Sequence, residues 1–121
     1  DEPYREIAYD GFEVPYVPHF YNNTLVAYSF SKSLSLPGER IGYLVIPDEV
    51  ADSEKLNAAA NVATRILGFV NAPTLQQKVV KACLNEKTDI SYYDRNRETL
   101  YNGLKELGFE CIKPEGAFIS L

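Results

Sequence analysis

The sequence predicts an α/β architecture, a mixed sheet layer with helices that leads into a smaller α+β unit. Three observations predict it: two continuous apolar β-type runs come early, three runs with helical spacing occupy the middle, and two strand-like runs close the chain. There is no internal repeat and no flexible linker, and the order of strands, then helices, then strands is what suggests a larger α/β layer followed by a smaller α+β unit.

Residues 1–23 are rich in Pro, Gly, Asp and Asn with aromatics scattered among them, the pattern of a long, packed loop. "TLVAYSF" at 24–30 and "IGYLVI" at 41–46 are too continuously apolar for half-exposed strands and predict a covered sheet. Pro47 and Asp48 stop the second strand and start a helix through about Val70, with Leu56, Ala60, Ala63, Leu67 and Val70 at helical spacing. "NAPT" interrupts, and Pro73 or Thr74 opens a second helix through about Asn85, whose Leu75, Val79 and Cys83 share a face. Thr88 or Asp89 can cap a third helix that Gly108 ends; Tyr93, Leu100, Leu104 and Leu107 mark its inner side, and Arg97 falls on that side out of character. "FECIKP" and "AFISL" then predict a hairpin around Glu115 and Gly116.

The composition, 45% hydrophobic and 24% charged over 121 residues, is that of a globular domain able to bury a core. The net charge of −5, without a cluster of lysines and arginines, argues against nucleic acid as a partner. No apolar stretch approaches the roughly 20 residues that span a bilayer, and no signal-peptide pattern opens the chain, so no membrane role and a cytoplasmic location are expected. His19 is the single histidine, and Cys83 and Cys111 lie far apart, so no metal site is expected and the thiols are expected to be free and buried. The chain opens on the turn "DEPY" without a preceding strand and closes on an apolar run, which leads us to expect a piece of something larger.

The chemistry concentrates in "SFSKSLSLPGERIGY" at 29–43. A solvated lysine followed by an ordinary tight turn would explain each residue singly. Four features together argue otherwise. Ser29, Ser31 and Lys32 close an apolar strand, where α/β sheets bind ligands. Arg40 returns as the next buried strand begins. Gly38 and Gly42 flank it and permit close backbone approach. "DEPY" sets an acid and a phenol three residues apart in a turn, a spacing that no helical or strand period explains.

At "DEPY", at "SFSKSLSLPGERIGY" and more loosely at "PEGAFISL", 114–121, the sequence resembles the class I and II aminotransferases, the fold type I enzymes that use pyridoxal 5′-phosphate. The resemblance implies that the chain is the C-terminal portion of that fold: the end of the cofactor-binding large domain, 1–75, then linking helices and the start of the small domain, 76–121. It implies that Lys32 forms the Schiff base with the cofactor aldehyde and later moves the proton. Ser29 and Arg40 would hold the phosphate, with Ser31 a further candidate. Asp1 would pair with the pyridine nitrogen, and Tyr4 would donate to the ring oxygen. Catalysis would thus fall to Lys32, Asp1 and Tyr4. The substrates implied are an amino acid and a 2-oxo acid, and the full-length protein would be a homodimer in which the segment from Phe69 to Thr74, with Asn71, approaches the partner's site.

Each role has a physical reason. A lysine is a nucleophile near neutral pH only where burial beside cationic groups disfavours its charged form, and Arg40 with a protonated pyridine would supply them. A planar guanidinium grips phosphate oxygens in a bidentate way that lysine does not reproduce, and serine adds a donor. A carboxylate at Asp1 stabilises the protonated ring that accepts a substrate's electrons. Other parts of such a site belong outside residues 1–121, so the segment alone is expected to be inactive. Two other readings use the same lysine: a carbon–sulfur lyase, and a cofactor-binding sensor domain of a transcription regulator.

Overall fold

In the computed structural model, which describes residues 1–117, the chain divides into two compact units: residues 1–3 with 15–86, and 4–14 with 87 onward. The first unit carries β1 (Val26–Ser29), the one-turn helix α1 (Phe30–Ser33), a 3-10 turn Pro37–Glu39, β2 (Gly42–Val45), α2 (Ser53–Ile66) and α3 (Thr74–Cys83). The second carries α4 (Ile90–Glu106).

β1 and β2 pair antiparallel, with Val26 opposite Val45 and Ser29 opposite Gly42. Val26, Tyr28, Ile41 and Val50 are buried and form the core around this ribbon. The covered sheet is realised on only one strand: β1 alternates buried and half-buried residues, whereas Tyr43 and Leu44 of β2 stay 49% and 48% exposed. A two-stranded ribbon has too few neighbours to cover both of its faces.

α2 begins at Ser53, five residues later than Asp48, because the chain first turns through Pro47–Val50 and Asp52 adopts a left-handed conformation with φ of 57°. It ends at Ile66, before Val70, in a Schellman closure: Phe69 N–H donates to Thr64 O at 3.1 Å and Gly68 N–H to Arg65 O at 3.0 Å. None of its residues is buried, and the side facing the unit runs through Ser53, Leu56, Ala60 and Thr64, so Ala63, Leu67 and Val70 fall off the expected stripe. α3 follows the expected bounds closely but buries Val80, one position round from Val79.

α4 is capped as the sequence predicts. The Asp89 carboxylate accepts from Ser91 N at 3.0 Å and from Ser91 Oγ at 2.7 Å, and these bonds hold the carboxyl below the usual range. Gly108, at φ of 85°, closes the helix in the same Schellman pattern as Gly68.

Along α4 the residue that packs inward is Arg97, whose side chain is 4% exposed, while Leu100 and Leu107 face solvent. Its guanidinium grips Asp10 with two bonds of 2.9 and 3.2 Å, reaches Asp94 at 2.7 Å and Glu98 at 3.2 Å, and donates to Pro114 O at 2.7 Å. It also lies over the Tyr9 ring, 4.3 Å from its centroid. The arginine replaces the aliphatic core expected there because every one of its donors finds an acceptor. Tyr9 is buried, its hydroxyl donates to Ala117 O at 2.6 Å, and burial pushes its phenol up.

The expected terminal hairpin is not seen among the described residues. Phe109–Pro114 forms no strand; Gly116 instead bridges antiparallel to Ala8, with Tyr9 N–H donating to Glu115 O at 2.9 Å and Ala117 N–H to Ile7 O at 2.8 Å. Apart from Ala117, "AFISL" lies outside the described residues. Cys83 and Cys111 are free thiols, half-buried where burial was expected.

Candidate active site around Lys32

β1 runs without a break into α1, and the change of direction falls at Ser29. That residue keeps an extended backbone, φ −131° and ψ 134°, while its side chain accepts from Ser31 N–H at 3.2 Å and caps the turn. Its hydroxyl also donates to Ser31 Oγ at 2.8 Å. Lys32 follows directly, half-buried, on a turn closed by Leu34 N–H to Phe30 O at 3.2 Å. The hydroxyls of Ser29 and Ser31 and the amine of Lys32 are thus carried within four residues of one strand end.

Arg40 returns to this place through the 3-10 turn, which lies against α1. Phe30 N–H donates to Ile41 O at 3.2 Å and Ser29 pairs with Gly42, so the residues after Ser29 and after Arg40 are hydrogen-bonded neighbours. Arg40 itself is left-handed, with φ and ψ both 51°, a conformation that costs a non-glycine residue about 1 kcal/mol or more. Its guanidinium is exposed and donates to Pro37 O at 2.8 Å; among the described residues no carboxylate pairs with it. The adjacent Glu39 is occupied elsewhere, accepting from Gln76 Nε2 at 2.7 Å.

Gly42 allows the strands to close. A Cβ there would stand 2.3 Å from Tyr28 O and 3.2 Å from Ser29 Cα, so the residue is fixed by contact with the strand that delivers Lys32. Gly38, by contrast, has open space around it and no such role. We expect Gly42→Ala to push β1 away and to cost about 1–3 kcal/mol in denaturant unfolding of the full-length protein; wild-type stability in that variant would contradict the close approach.

Asp1 is exposed and is placed by its neighbour, Glu2 N–H donating to Ala27 O at 2.9 Å, which lays the start of the chain beside β1 two residues before Ser29. Tyr4 belongs to the second unit, half-buried, its carbonyl accepting from Ile7 N–H at 2.9 Å. The structure therefore brings Ser29, Ser31, Lys32 and Arg40 together and anchors Asp1 on the same strand.

Two contributors escape the sequence. Tyr28 donates its hydroxyl to Ser33 Oγ at 2.6 Å in a buried bond that spans Lys32, and Gln76 draws Glu39 aside. Tyr28 lies on the buried side of β1, and no local sequence pattern pairs it with Ser33.

A strand ending in clustered hydroxyls and a lysine, with a guanidinium on the return that pairs with no carboxylate among the described residues, presents donors of the kind that suit a phosphate group. The donor set comprises two neighbouring serine hydroxyls and a guanidinium with no carboxylate to neutralise it among the described residues. The sequence profile of the family "Aminotransferase class I and II" matches residues 1–121, and the chain belongs to that family.

Among its relatives are a probable aspartate aminotransferase of Methanocaldococcus jannaschii, 32% identical over 98% of this chain and 32% of that protein, and an aspartate aminotransferase of Rhizobium meliloti, 31% identical over 98% and 30%. Among solved structures it is similar to an amino transferase from Eubacterium rectale, with a TM-score of 0.90 and 56% identity over 95% of this chain and 29% of that one. It is also similar to a Thermus thermophilus aspartate aminotransferase variant complexed with tryptophan, with a TM-score of 0.74 and 26% identity over 97% and 31%. The chain spans about a third of the length of these curated relatives. Among the described residues no helix is long and apolar enough to cross a membrane.

Proposed function

We propose that the whole protein is a pyridoxal 5′-phosphate-dependent aminotransferase that moves an amino group between an amino acid and a 2-oxo acid. The observation that carries the reading is the placement of Lys32 between the Ser29–Ser31 hydroxyl pair and the hydrogen-bonded return that bears Arg40. When bound, the cofactor supplies an electron sink for the carbanion at a substrate Cα. The chain's own residues do the rest. Lys32 would hold the cofactor covalently and would carry the proton to and from the substrate Cα. Ser29, Ser31 and Arg40 would bind phosphate oxygens, Asp1 would keep the ring nitrogen protonated, and Tyr4 would donate to the ring oxygen.

The relatives named above are aminotransferases, which favours this reading over a carbon–sulfur lyase or a regulator's sensor domain. The proposal includes a cytoplasmic homodimer, and the exposed Ile66, Leu67 and Phe69 beside Asn71 support the dimer. Full-length protein mixed with a panel of common amino acids should convert its cofactor to the pyridoxamine form and release the matching 2-oxo acid. Binding without conversion by any of them would overturn the aminotransferase reading.

Arg40→Lys checks the phosphate grip. It should weaken pyridoxal 5′-phosphate by about 1–3 kcal/mol, the range of a charge-assisted hydrogen bond lost or misaligned. Pyridoxal without phosphate should lose far less, as measured by equilibrium binding; equal losses would assign Arg40 to the fold.

A further inference from the structure

We propose that the buried Tyr28–Ser33 hydroxyl pair is a positioning device for Lys32, fixing the turn that aims its amine. The inference rests on the cofactor reading above and concerns residues to which that reading gives no part.

α1 is four residues long, and a single helical turn does not hold itself together. Side-chain hydrogen bonds at both ends brace it. At its start the Ser29 hydroxyl takes the amide and meets the hydroxyl of Ser31. At its end the Tyr28 hydroxyl donates to Ser33 Oγ at 2.6 Å. Lys32 is the residue between the two grips.

The second grip is the firmer. Tyr28 and Ser33 are both buried, where a hydrogen bond is stronger than it would be in water. The Tyr28 ring is itself fixed, stacked on Tyr43 with centroids 5.0 Å apart and set edge-on to Phe30 at 5.2 Å. Its carbonyl is pressed on Gly42. The sheet thus reaches past Lys32 and holds the following residue, which restricts where a long, flexible side chain can begin. Without the hydroxyl pair the turn would sample other arrangements, and the amine would stand ready for the cofactor for a smaller share of the time.

The test uses the full-length protein, stripped of cofactor and recharged with pyridoxal 5′-phosphate. The recharging rate is read from the cofactor's absorbance, and the bound band is then titrated with pH. Tyr28→Phe and Ser33→Ala should each slow recharging by about fivefold to tenfold and shift the pH midpoint of the bound band. The double variant should be no slower than either single, since both remove one contact. Ser33→Thr, which keeps the hydroxyl, should recharge like wild type, which guards against a general loss of folding. An unchanged rate and midpoint in both single variants, an effect confined to one partner, or effects that multiply in the double variant would overturn the inference. If the wild-type protein takes up no cofactor at Lys32, the proposed function fails, and this inference with it. If it does and the variants match it, this inference alone fails.

Discussion

Asp1→Asn in the full-length protein is expected to leave cofactor absorbance in place while slowing the half-reaction with an amino acid by about two or more powers of ten, at least ~2.7 kcal/mol of transition-state stabilisation. On the proposed function the two effects would separate, because holding the cofactor would need the lysine and the phosphate grip, whereas stabilising a carbanion would need a protonated ring that a carboxylate sustains. Asparagine keeps the size of the side chain and removes the charge. The backbone bond from Glu2 to Ala27 belongs to the neighbouring residue, so the segment should stay beside β1 in the variant. Stopped-flow absorbance with a good amino-acid donor reads the result. An asparagine variant that converts as fast as wild type would remove Asp1 from the chemistry.

The second large effect belongs to stability. Arg97→Ala should destabilise the full-length protein by about 2–4 kcal/mol in denaturant unfolding. The partners Asp10, Asp94 and Glu98 are 60%, 41% and 39% exposed, so no carboxylate would be left buried and unpaired. The cost arises instead from the Pro114 carbonyl, which loses this donor, and from the space opened under the Tyr9 ring. Arg97→Met, which fills part of that space, should recover part of the loss; a methionine variant as stable as wild type would show that packing alone matters.

The same cluster sets a pH dependence. The Arg97 guanidinium, chiefly through its hydrogen bonds, holds the Asp10 carboxyl below its ordinary value. The folded form is therefore favoured fully above the unfolded value of about 3.9 and loses this contribution as pH falls through the lower folded value. Asp10→Asn should flatten the acid limb of unfolding below about pH 4.

The parts of this molecule legible in the sequence are those whose causes are local. Ser29, Ser31, Lys32 and Arg40 stand out as one group because the strand end and the return that bring them together are close in sequence. Asp89 and Gly108 bound α4 because capping chemistry acts within three residues. α2 begins late because Asp52 turns left-handed, a choice that periodicity does not encode.

The non-local parts were hidden. Hydrophobic spacing reads Arg97 as an anomaly on the inner face of α4, and its principal partner, Asp10, lies 87 residues away. A still longer separation in sequence conceals the bridge between Ala8 and Gly116, which the local pattern of the last segment does not show. Tyr28 and Ser33 are only five residues apart, yet they meet because a strand becomes a helix between them.

The central claim is that Lys32 carries the cofactor, and covalent mapping tests it most directly. Full-length protein charged with pyridoxal 5′-phosphate, reduced with borohydride and digested, should yield one modified peptide, the one that contains Lys32. A label on Lys55, Lys78 or another lysine, with Lys32 unmodified, would contradict the account.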